Sequence, residues 1–138
     1  MATYNKFLSW SEDESESVHC GTDQFVVALC ATANAPVNTN TVLADLTQID
    51  YTNLSSRNLT TAASAQTAGT YKLDFNDLVL TASGGAVAAF QYVVIYDDTP
   101  TSPADPLVCW FDYGSALTLA DGETLTLTFH ANGLYTKA

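Results

Sequence analysis

Positive charge is what this sequence has least of. Lys6, Arg57, Lys72 and Lys137 are its four basic side chains, set against 15 Asp and Glu for a net charge of −11. A phosphate-binding surface needs clustered Lys and Arg, so these scattered cations exclude sequence-independent nucleic-acid binding. The same deficit argues against docking on anionic membranes. Charge of either sign is scarce, at 14% of residues, while apolar residues reach 47%, and that balance excludes a disordered polar chain. No run of about 18 apolar residues offers a membrane span. The start, MATYNKFLSWSEDESES, turns acidic where an export signal needs its apolar segment, so a protein made in the cytoplasm is the expectation. Cys20, Cys30 and Cys109 are an odd number with no CxxC spacing, a pattern of reduced thiols rather than a disulfide framework.

Catalytic signatures are missing as well. No GxSxG elbow, Walker A or GxGxxG motif occurs. His19 and Cys20 are adjacent, a poor spacing for chelating zinc, so neither an enzyme nor a cofactor is expected. The one stretch that raises the question of chemistry is YDDTPTSPADPLVCWF at 96–111. An EF-hand starting at Asp97 would need Gly at the sixth position and Glu at the twelfth, where Ser102 and Val108 stand. A looser calcium site from Asp97, Asp98 and Asp105 is the one metal arrangement left open. Neighbours on a strand point to opposite faces, so Asp97 and Asp98 share a site only if the strand ends between them. The plainer reading is a proline-stiffened hairpin connection, with Pro100 and Pro103 at a contact tip.

What is present is β pattern. At 138 residues the chain falls in the single-domain range. QFVVALCA (24–31) is a near-continuous apolar run of strand length, as in a strand covered on both faces. TVLADLTQI (41–49) and SRNLTTAAS (56–64) are weaker strand candidates around the polar connector YTNLSS. TYKLDF (70–75) alternates cleanly, and its apolar phase then slips at Leu78 and Leu80, which predicts a bulge or tight turn at Asn76–Asp77. FQYVVIYD (90–97) and PLVCWFDYG (106–114) are further strands, and ALTLADGETLTLTF (116–129) reads as a hairpin turning at Asp121-Gly122. GLYT (133–136) closes the chain.

Short strands at regular spacing indicate an all-β, single-domain β-sandwich or jelly-roll-like fold with a short N-terminal arm or helix. The expected division is an arm over 1–23 and a sandwich over 24–138. Phe7 and Trp10 are three apart, so one helical turn presents both. Tyr92, Tyr96, Trp110, Phe111 and Tyr113 gather in the paired C-terminal strands, either as core or as an aromatic contact surface.

The C-terminal segments FQYVVIYDDT, PLVCWFDYGSALTLADGETLTLTF and NGLYT resemble a family of small proteins encoded among the structural genes of tailed bacteriophages. So do YNKF (4–7), TANAPV (32–37), VLADLTQI (42–49) and YTNLSSRNLT (51–60), which extends the resemblance over nearly the whole chain. The acidic SEDESES and the long loop TPTSPAD depart from the family pattern. The resemblance implies a virion structural protein, most closely a capsid decoration or cement protein. Such a protein is β-rich, often a homotrimer, and bound outside the shell where it bridges subunits of the major capsid protein. Tyr4, Phe7, Trp10, Pro100 and Pro103 are the expected partner contacts. The alternatives are a receptor- or carbohydrate-binding module on a tail or fibre, and a tail-tube or head–tail joining protein.

Overall fold

The computed structural model describes residues 2–138. Its first layer grows from the two most apolar segments. β2 (Phe25–Cys30) is buried at every position, and β6 (Phe90–Asp97) at every position but Tyr92. Both are flanked by strands or by chain on either face, as a run with no polar alternation requires. With β1 (Thr3–Lys6) and β7 (Leu107–Leu117) they form an antiparallel sheet in the order β1-β7-β6-β2. Opposite lie β3 (Thr61–Thr67), β4 (Thr70–Phe75) and β9 (Tyr135–Lys137) as one small sheet, and β5 (Leu78–Thr81) with β8 (Thr124–Leu127) as another.

The chain is thus an all-β single domain with one short helix, α1 (Trp10–Glu16). Phe25, Val27 and Leu29 of β2 point between the layers and join Leu73, Phe75, Leu80, Phe90 and Ile95 in the main core. Val26, Ala28 and Cys30 point the other way and meet Phe7, Val94, Tyr96, Leu107 and Trp110 in a second core, over which Leu43 and Leu46 lie. Period-2 alternation of one strand therefore feeds two cores at once.

The slip in apolar phase after Phe75 marks where the chain leaves one small sheet for the other, since β4 ends at Phe75 and β5 begins at Leu78. β9 pairs with β4 and β8 pairs with β5, so the two lie end to end along the edge of the second layer.

The 116–129 hairpin is not formed. Gly122 does take the left-handed turn (φ 86°), but the strands on either side belong to different layers: β7 stays in the first sheet and β8 pairs with β5. Nor is 41–49 a strand. The Asp45 carboxylate accepts the Thr41 and Val42 backbone N–H groups and the Thr41 hydroxyl, and the chain makes a 3-10 turn over Leu43–Asp45. Such local bonding competes with a sheet ladder. Residues 1–23, expected as an arm, supply the edge strand β1 and three core side chains, Phe7, Trp10 and Val18.

Candidate functional site

The two sides of the sandwich are finished differently. On the β2 side, residues 49–60 run between the layers as a strap with one turn, where Leu54 N–H donates to Tyr51 C=O. Ile49 N–H donates to Leu29 C=O, Val27 N–H to Arg57 C=O and Leu59 N–H to Phe25 C=O, all at 2.9–3.0 Å. To the second layer, Ser55 N–H donates to Thr81 C=O, and Thr60 C=O accepts from Asn76 N–H. Side chains reinforce it. Arg57 donates to Val27 C=O at 2.6 Å and lies 3.7 Å above the Tyr51 ring. Tyr51 Oη accepts Leu29 N–H and donates to Gln48 Oε1. Ile49, Tyr51, Leu54 and Leu59 fill the gap beneath. This side is closed, in agreement with the need to cover a strand edge.

Among the described residues, the opposite side has no strap. β1 pairs with β7 only from Cys109 to Asp112, which leaves Tyr113–Leu117 without a neighbour on that edge. The register also shows which backbone groups face outward. Phe7 N–H donates to Val108 C=O, so in alternation Asn5 and Thr3 bond inward, and Tyr4 and Lys6 present their N–H and C=O to solvent. In the second layer Thr81 C=O accepts Ser55 N–H and Thr81 N–H donates to Ser55 Oγ, which makes Thr81–Thr124 an unbonded pair. The main-chain groups of Thr124 and Thr126 therefore face away from β5. Between these two edges lies an open apolar groove of about 210 Å³, floored by Phe90, Phe111, Leu117, Leu125 and Phe129. It continues past Tyr4, Lys6, His130 and Tyr135. No Asp or Glu lines either part. Helix α1 plugs one end, with Trp10 edge-on to Tyr135 at 5.4 Å and Glu14 paired with Lys137 at 2.8 Å.

Among the expected contacts, Tyr4 is the one on this open side, with 45% of its surface exposed. Phe7 and Trp10 are corrected to core residues: at 0% and 1% exposure they have no surface left for a partner. Phe7 stacks on Trp110 at 4.6 Å, which explains the burial of both. Pro100 and Pro103 are half-buried in the 98–106 loop, away from the groove lining. The aromatic cluster divides the same way. Tyr96 and Trp110 are core, whereas Tyr113 is exposed and Phe111 half-buried at the groove.

The acidic loop is the β6–β7 connection, as expected, but its carboxylates do not converge. Asp97 is fully buried and faces Asp23, while Asp98 faces Asp105 across the loop. Among the described residues no group of three or more His, Cys, Asp or Glu is placed to hold a metal ion. Asp97 Oδ1 accepts Thr99 N–H at 3.0 Å, and its Oδ2 has no other donor. Burial pushes the Asp97 carboxyl up to about 8, helped by the neighbouring carboxylates Asp23 and Asp98. Asp23 is in turn fixed by His19 N–H at 2.9 Å, and Gln24 N–H donates to the Thr99 hydroxyl at 2.8 Å. Asp97 is buried at the loop base, while Asp23 keeps part of its surface exposed. Asp23 was missed in the sequence because it lies 74 positions away from Asp97; only the β2–β6 register, Phe25 opposite Asp97, brings it near.

The DYGS stretch shapes the groove's upper wall. β7 takes five steps from Asp112 to Leu117 where β6 takes two, from Tyr92 to Phe90. Asp112 Oδ1 holds the excursion by accepting Gly114 N–H (2.8 Å) and the Gln91 amide (3.0 Å), with Gly114 at φ 92°. All three thiols are free, and burial raises them, Cys30 to about 11. No protein-family model, curated protein or solved structure matches this chain.

Proposed function

We propose that this chain works by contact, as a phage virion structural protein of the capsid-decoration kind that binds the outer shell and bridges subunits of the major capsid protein. The observation that carries the contact reading is the unstrapped side: an apolar groove between two free strand edges, with no carboxylate in its lining, on a chain of net charge −11. Apolar surface left open beside free strand edges is a mark of interaction surfaces. The capsid assignment is supported by the resemblance of DYGS–LADGET and YTNLSSRNLT to tailed-phage structural proteins. Those segments form the groove wall, the interlayer turn and the strap. Self-association into a homotrimer belongs to the same proposal.

Immunolabelling of virions of the encoding phage, imaged by electron microscopy, tests the assignment. Label over the whole head is expected. Label confined to the tail would overturn it in favour of a receptor-binding or joining protein, and no label would remove the virion reading altogether.

A further inference from the structure

The closed side shows what this fold uses to fill the gap between its layers. The 49–60 strap turns once at Tyr51–Leu54 and carries no helix, bonds to strand edges in both layers, and lowers four apolar side chains into the space between. On the open side the corresponding edges and the apolar floor are present and the strap is not. We infer that an extended segment of a partner protein occupies this side as an added strand on β1, pairing with the outward N–H and C=O groups of Tyr4 and Lys6 and setting its alternate apolar side chains on Phe111, Leu125 and Phe129. This rests on the contact reading of the groove, not on which particle carries the protein.

Three features define the chemistry of the occupant. The free groups on β1 are main-chain donors and acceptors, which an extended backbone satisfies and a helix, bonded within itself, does not. The floor is apolar, so every second residue of the segment is apolar. Lys6 and His130 line the far part of the groove, with no carboxylate beside them, so a neutral or acidic polar face suits it and a basic one does not. A second copy of this chain, at −11, brings like charge to this groove, which favours a different protein here and leaves the homotrimer to another surface. Of the usual guards against such pairing the edge has two, its four-residue length and Lys6, but β1 contains no proline and its register with β7 runs without a bulge.

A synthetic peptide alternating leucine with threonine and ending in aspartate serves as probe, with amide hydrogen exchange on the whole chain as readout. The peptide is expected to slow exchange at the Tyr4 and Lys6 amides. Tyr4→Pro removes an outward N–H that β7 does not use, a change edge strands tolerate. It is expected to weaken peptide binding about tenfold, while Tyr4→Ala keeps the protection. Exchange at other β1 and β7 amides in Tyr4→Pro, unchanged from wild type, shows that the variant is folded. If it is not, Lys6→Pro makes the same test from the other outward amide. Equal loss in Tyr4→Pro and Tyr4→Ala would mean side-chain docking and overturn strand addition, as would peptide protection elsewhere or none. Protection of Tyr4 and Lys6 that grows with protein concentration alone would identify a second copy as the occupant and overturn the choice of partner. Head labelling fails or succeeds independently of all of these.

Discussion

The β2 side and the β1 side of this sandwich face the same physical problem and meet it differently. Each has a sheet edge with unpaired main-chain groups and an apolar gap between layers. On the β2 side the chain returns over itself: Ile49, Tyr51, Leu54 and Leu59 fill the gap while the backbone of 49–60 bonds to both edges. On the β1 side α1 covers one end through Trp10 and Glu14, and the rest stays open over Phe111, Leu125 and Phe129. A polar-rich strap, YTNLSSRNLT, thus does the work of a strand on one side, and nothing in the described residues does so on the other. The lesson is that surface chemistry and sequence chemistry are distributed differently. The carboxylate-rich loop at 96–106 looks reactive, yet Asp97 is buried and no metal cluster forms among the described residues, whereas the Thr-Leu segment at 124–127 looks merely structural and borders the open groove.

The largest expected effect comes from removing the plug. Trp10→Ala should lower stability by about 3–5 kcal/mol, because it empties a fully buried aromatic site shared with Tyr135. Tyr4→Ala, by contrast, should cost under about 1 kcal/mol, since Tyr4 is half-exposed. Urea unfolding curves compare the two. Equal losses would break the distinction between plug and open edge.

On the closed side, Arg57→Met should cost about 1–3 kcal/mol in the same assay, by leaving Val27 C=O without its guanidinium donor. Faster exchange at Val27 and Leu59, the amides that bond across to or from the strap, should accompany it. A change within error would mean that the strap is held by its backbone bonds and packing without the guanidinium.

The buried Asp97 carboxyl adds a pH dependence to the β2 side. Asp97 holds a proton in the folded chain up to about pH 8, whereas an unfolded aspartate releases it near pH 4. Between those values the folded state binds the extra proton, so the group's stabilisation is full at low pH, falls as pH rises towards 8, and is level above. Melting temperatures at successive pH values should show that decline. Asp97→Asn keeps an oxygen for Thr99 N–H and offers Asp23 a permanent donor, so it should flatten the decline and melt higher than wild type at pH 8. Equal slopes in the two proteins would show that Asp97 does not carry the buried proton.

Much of this was legible in the sequence, and where it was not the reason is physical. β4 and β6 were read to the residue, because TYKLDF alternates and FQYVVIYD is long and apolar on both faces. The phase slip after Phe75 located the crossing between the two small sheets. The Asp121-Gly122 turn was equally visible, but a turn specifies direction, not partner, and β8 crosses to β5. Segment 41–49 has strand composition, and Asp45 draws it into a 3-10 turn with three local hydrogen bonds. Phe7 and Trp10 looked like an exposed anchor because spacing shows which residues share a face and not what covers that face. The groove and the Asp23–Asp97 pair were out of reach for one reason: both are made by residues far apart in sequence and joined only by sheet register.

The smallest effect on stability is paired with the most direct test. Thr126 borders the open groove and Thr60 lies on the strap, and both side chains are exposed, so Thr126→Glu and Thr60→Glu should each change stability by less than about 0.5 kcal/mol. Cosedimentation of each variant with heads of the encoding phage that lack this protein measures whether the open side is the working surface. The account predicts that Thr60→Glu binds as wild type does and Thr126→Glu does not. Binding by both, or loss by Thr60→Glu alone, would contradict it.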